Sequence, residues 1–107
     1  MTTLEKVHLF ERYLELTRGN ADNTLDVVLD KLLERKRAEL VQHRDEMRAE
    51  LEAFENQYGI TSVEFFDKFR RGELGDAIDF LDWSATWQMY NDVLKYLGAL
   101  SSELVAV

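Results

Sequence analysis

The chain has 107 residues, with 13 lysines and arginines against 21 aspartates and glutamates, a formal charge of -8 with both histidines neutral. That length holds one domain with a modest core, and the negative sign repels phosphate backbones, so no direct nucleic-acid binding is expected, whereas a basic protein would be attracted. The absence of cysteine excludes disulfides and thiolate zinc sites, and the absence of proline, with only five glycines, is the composition of an all-helical protein.

The opening MTTLEKVHLFERY sets charges inside what a signal peptide would need as an apolar run. No window approaches the roughly 18 apolar residues of a membrane span, so a cytoplasmic chain with no membrane partner is expected. Leu4, Val7, Phe10 and Leu14 recur at helical spacing, widened by Leu9, Tyr13 and Leu16, and predict a first helix over about 4–17. Val7, Tyr13 and Thr17 leave a strand open there. Arg18-Gly19-Asn20 ends the element and Ala21-Asp22-Asn23 connects it onward.

A cap at Thr24 begins a second helix that nothing interrupts before Tyr58, a length of about 35 residues that would reach roughly 50 Å. Leu33, Leu40, Met47 and Phe54 recur every seven residues, and Leu29, Leu51 and Tyr58 extend the stripe in coiled-coil spacing. Lys36, Arg37, His43 and Arg44 stand where a strict heptad would be apolar. Both ends of this helix are therefore expected to pack more tightly than its middle.

Gly59 supplies a stop, and Thr61-Ser62-Val63-Glu64 reads as a capping box, with Ile60 placed to staple against Phe65. A third helix over about 62–71 follows and ends at Gly72. Asp76-Ala77-Ile78-Asp79 has the form of another N-cap, opening a fourth helix over about 76–100. That helix carries Phe80, Trp83, Trp87, Tyr90, Leu94 and Leu97 in unbroken three-and-four spacing. A second stripe, Leu81, Ala85, Met89, Val93, Tyr96 and Leu100, lies beside the first, and two apolar faces imply two neighbours. The tail from Ser101 to Val107 is apolar, short and expected to fray. The predicted architecture is all-α: an elongated helical hairpin or bundle around one long central helix, completed by dimerisation.

The sharpest catalytic pattern is Glu52 and Glu55 one turn apart, then Glu73 and Asp76 after seventeen intervening residues. It resembles the carboxylate pattern of the all-helical nucleoside triphosphate pyrophosphohydrolases of the MazG type, which hold Mg²⁺ on the substrate phosphates, chemistry that suits hard oxygen ligands on facing helices. In that family the second pair rides within a helix, whereas here Gly72 and Gly75 bracket Glu73 and suggest a turn. Short acidic patterns also arise readily in so acidic a chain.

Asp76, Asp79 and Asp82 are better explained without a metal: the first two as carboxylates answering a helix N-terminus, and Asp82, just past that turn, as a group facing solvent or a basic partner. His8 and His43 lack a second ligand at any recognised spacing, and neither a nucleophile elbow nor a phosphate-binding glycine loop is present. No cofactor or metal is expected. The run Arg35-Lys36-Arg37, set between Glu34 and Glu39, reads as a solvated, charge-laced face.

The stretch YGITSVEFFDKFRRGELGDAIDFLDWSATWQMY resembles small helical prokaryotic proteins of toxin–antitoxin type. The resemblance is carried by YG at Tyr58-Gly59, the TS cap, F-x-x-x-F at Phe65 and Phe69, and GELGD at Gly72 to Asp76. It continues through Asp79-Phe80, Asp82-Trp83 and Met89-Tyr90, about a third of the chain. It implies a non-catalytic antitoxin that binds and neutralises a small basic partner acting on RNA. The chain is therefore expected to be a protein–protein interaction module and a homodimer, the alternatives being the Mg²⁺-dependent pyrophosphohydrolase and a structural coiled-coil scaffold. The expected interface comprises the fourth-helix seam Phe80, Trp83, Trp87, Tyr90, Leu94 and Leu97 with Leu40, Met47, Leu51 and Phe54 of the long helix.

Overall fold

A computed structural model describes residues 1–17 and 23–101. It contains four helices: α1 (Thr3–Leu16), α2 (Asn23–Tyr58), α3 (Ser62–Arg70) and α4 (Ile78–Ala99), with no strand among the described residues. The expected break at Arg18-Gly19-Asn20, the Ala21-Asp22 link and the tail beyond Ser101 lie outside the described residues. No described helix is long and apolar enough to cross a membrane.

The chain divides into two compact units, Met1–Glu34 and Arg35–Val107. In the first, the helix-or-strand question at Leu4–Thr17 is answered by a device at its start. The Thr2 hydroxyl accepts from the Glu5 amide at 3.1 Å while the Thr2 amide donates to the Glu5 carboxylate at 3.0 Å, a complete capping box. Those two bonds satisfy amides that a helix start otherwise leaves unpaired. The Thr2 amide first, and the nearby Thr2 hydroxyl second, hold the Glu5 carboxyl below its ordinary pKa. Helix α2 starts at Asn23, so Thr24 is its second residue and not its cap.

No residue of α1 is buried, and Leu51 is the buried residue of α2, so nothing described in the first unit is buried. Phe10 is 56% exposed, Leu4 63% and Leu16 85%, and on the early part of α2 Leu29 and Leu33 remain 42% and 40% exposed. The expectation of two tightly packed ends for α2 therefore holds at its C-terminal end alone, because that is where α3 and α4 supply apolar partners.

In the second unit, α4 runs antiparallel to the C-terminal part of α2. Partners along α4 descend in number as those along α2 ascend: Arg37 with Leu100, Arg48 with Tyr90, Glu50 with Thr86, Phe54 with Trp83 and Tyr58 with Asp79. The apolar-poor middle of the seam is closed by polar means. Arg37, expected to be a break in the stripe, donates its Nε to the Leu100 carbonyl at 2.9 Å and so satisfies one of the carbonyls left open at the end of α4.

The reversal depends on local backbone chemistry. The Gly72 amide donates to the Phe69 carbonyl and the Glu73 amide to the Lys68 carbonyl, both at 3.0 Å, the pair of bonds that defines a Schellman stop. Gly72 has φ +76° with nothing within 4 Å of where a Cβ would stand. The glycine is needed for its left-handed backbone and not for space.

Two details of the predicted caps change. At α3 the Thr61 hydroxyl does accept from the Glu64 amide at 3.1 Å, half of the expected capping box, while the carboxylate that bonds an amide of this turn is Glu55 of α2, which accepts from the Ser62 amide at 2.7 Å. At α4 the cap position is Ala77, which offers no side-chain acceptor; Asp76 precedes it, and the helix begins two residues later than expected. Asp79 provides the first-turn carboxylate instead.

Candidate functional site

The core of the second unit is Leu51, Phe65 and Trp83, with Phe54, Ile60, Phe66, Phe69, Leu74, Phe80, Trp87 and Tyr90 packed against it. Trp83 and Phe65 are fully buried and stack at 3.9 Å between centroids with 3° between planes. Phe54 and Tyr58 stack on the same indole at 5.4 and 5.8 Å. Such ring pairs contribute about 0.5 to 1.5 kcal/mol each beyond the area they bury. The Trp83 indole N–H donates to the Ser62 hydroxyl at 3.0 Å, which removes the cost of burying that donor.

Of the expected interface residues, those in this cluster hold the hairpin itself together. Trp83 and Leu51 are buried; Phe54, Phe80, Trp87 and Tyr90 pack against them; Leu40, Met47 and Leu97 are half-buried, and Leu94 stays 40% exposed. The stripe left open is the second one on α4. There Val93 is buried, whereas Leu81 is 50% exposed, Met89 52% and Tyr96 54%.

Ala85, Met89, Val93 and Tyr96 of this stripe form one wall of a groove whose other wall is α2. Its upper part is lined by His43, Glu46, Met47, Glu50, Met89, Asp92, Val93 and Tyr96. Its lower part shares Glu50 and Met89 and continues along Ala53, Phe54, Gln57, Asp82, Ala85 and Thr86. The apolar floor is thus rimmed by Glu46, Glu50, Asp82 and Asp92, and no lysine or arginine lines either part. The ion pairs among the described residues involve none of these four carboxylates. Glu46 accepts from Gln42 at 3.2 Å and Glu50 from Thr86 at 3.3 Å, neutral contacts that leave their charge uncompensated.

A second cleft on the hairpin differs in character. Arg48 and Glu52 line it with Leu51, Glu55, Trp87 and Tyr90, and Arg48 donates to the Tyr90 hydroxyl at 2.9 Å. That bond, more than any other cause, holds the guanidinium's pKa above its ordinary value.

The four carboxylates of the pyrophosphohydrolase pattern stand in different surroundings. Glu55 receives the Ser62 amide, and Glu73 lies 3.5 Å from the Arg71 guanidinium on the Schellman turn. Glu52 lines the Arg48 cleft, and Asp76 precedes α4. Among the described residues no three His, Asp or Glu side chains are placed to hold a metal ion. Asp79 accepts from the Tyr58 hydroxyl at 2.5 Å. That bond first, then desolvation and the carboxylate's charge, raises the Tyr58 pKa.

Sequence reading missed two residues that matter. Ser62 reads as part of a cap, yet its hydroxyl is buried under Trp83; an indole twenty-one residues away gives no local signal. Glu50 belongs to no motif, although it sits one turn from Met47 and Phe54 on the groove side of α2. Comparison with protein-family models, with curated proteins and with solved structures yields no match.

Proposed function

We propose that the chain is a non-catalytic protein–protein interaction module of antitoxin type, which captures and neutralises a small basic protein and acts as a homodimer. The observation that carries this reading is the second stripe of α4: Leu81, Met89 and Tyr96 are each at least half exposed beside a seam that is already packed. Exposed apolar side chains grouped on one helix face mark interaction surfaces, and the overall charge of -8 selects for a cationic partner.

Dimerisation draws support from the first unit. Its 34 residues bury no described side chain, and pieces below about 40 residues generally need oligomerisation or another staple to be stable. Acidic and basic residues alternate along α1, with Glu5, Lys6, Glu11, Arg12 and Glu15, a pattern that can pair with its own copy.

The test is recovery of the tagged chain from its native host with mass spectrometry, joined to light scattering at micromolar concentration. A stoichiometric basic protein and a dimeric mass are expected. A chain recovered alone and monomeric would overturn the reading, as would Mg²⁺-dependent release of pyrophosphate from a panel of nucleoside triphosphates.

A further inference from the structure

We infer that the α2/α4 groove receives a cationic amphipathic helix of the partner, laid lengthwise along α4 from Asp82 to Tyr96. This rests on the interaction reading above and adds the occupant and its place. Asp82, Ala85, Met89, Val93 and Tyr96 follow three-and-four spacing and so form one face, and their span is about 21 Å, close to four helical turns. A groove between two antiparallel helices is matched by a third helix, which satisfies its own backbone and inserts side chains at i, i+3 or i+4 and i+7. The described residues form no strand whose edge could take an extended peptide.

Charge sets the occupant's composition. Glu46, Glu50, Asp82 and Asp92 flank the apolar floor with no ion-paired partner among the described residues, so lysines or arginines beside the anchoring apolar residues would each meet an uncompensated carboxylate. The same fact argues against a second copy of this chain. A second α4 would bring Asp82 and Asp92 against the same acids, and α1 carries three glutamates against Lys6 and Arg12.

The probe is a fluorescently labelled 18-residue helical peptide with leucine at every third or fourth position and lysine at the flanking ones, titrated with the full-length chain and read by anisotropy. Saturable, salt-weakened binding is expected. Met89→Lys should weaken it more than tenfold, and Asp82→Lys with Asp92→Lys by about tenfold, the size of a few lost and reversed surface charge contacts. All three positions line the open groove and not the core, and circular dichroism checks that each variant is folded. Amide shifts on Ala53, Ala85 and Met89, with none on Glu52 or Asn91, would place the peptide independently of any variant.

The inference is overturned if the lysine peptide does not bind, if a peptide with glutamate in place of lysine binds as well, or if Met89→Lys leaves binding undiminished. Loss of the chain's own dimer in Met89→Lys but not in Phe10→Glu would assign the groove to a second copy and overturn it too. A host protein retained equally by the wild-type and Met89→Lys chains removes the groove as its site while leaving the interaction reading standing.

Discussion

The two units of this chain use the same kind of amphipathic helix and reach opposite outcomes. In Arg35–Val107 a seam of three-and-four spacing ends up around a fully buried Trp83 and Phe65; in Met1–Glu34 an equally regular stripe leaves Leu4, Val7, Phe10 and Tyr13 more than half exposed. Periodicity is therefore a statement about which side chains share a face, not about whether that face is covered. In the second unit, glycine-dependent turns, among them those at Gly59 and Gly72, return aromatic residues onto the helix that precedes them.

The sharpest way to break this contrast is Trp83→Ala. Removing the indole empties the centre of the ring cluster, so a loss of about 3 to 5 kcal/mol is expected in chemical denaturation. The nearby Trp87→Ala should cost less, because Trp87 is half-buried. Ser62→Ala comes next. It leaves the buried Trp83 N–H without an acceptor and should cost about 1 to 3 kcal/mol by the same measurement.

A smaller effect on folding, with a different readout, is expected in the first unit. Phe10→Glu should change unfolding of the second unit by no more than about 0.5 kcal/mol, like the surface control Glu34→Ala, yet convert a dimer to a monomer in light scattering. A large loss of stability in the second unit would show that the contrast between the units is false.

The smallest effect concerns alkaline pH. The folded pKa of Tyr58 is raised above its unfolded value, so its contribution is fully present below the unfolded pKa and is lost as pH rises through the folded one. Tyr58→Phe should remove that alkaline dependence, measured as the pH profile of the denaturation midpoint, while leaving the neutral-pH fold in place. An unchanged alkaline profile would mean that the bond to Asp79 does not persist in solution.

Much of this was legible in the residues. The long helix, the stop at Gly59, the Thr61 cap, the GELGD reversal and the two stripes of α4 all follow from period and backbone chemistry, which act within a few residues. Thr2-x-x-Glu5 was legible too, since it is a complete capping-box signature, and it would have decided the first element.

The role of each stripe was not legible. Phe80, Trp83 and Trp87 carry the composition of a binding hot spot, and the same residues serve equally well as core, since both uses bury aromatic area. Likewise Glu55 reads as half of a metal-binding pair until the turn after Gly59 brings the Ser62 amide to within 2.7 Å of it.

By itself, then, the sequence determined the helices, their stops and which side chains travel together, because capping, glycine backbone freedom and the helical period are local. Tertiary structure alone decided which face of α4 is spent on the hairpin and which remains open. It also decided that Arg37 closes the end of α4 and that the carboxylates of the groove gather with no lysine or arginine among the described lining residues, since each depends on which residues distant along the chain are brought together.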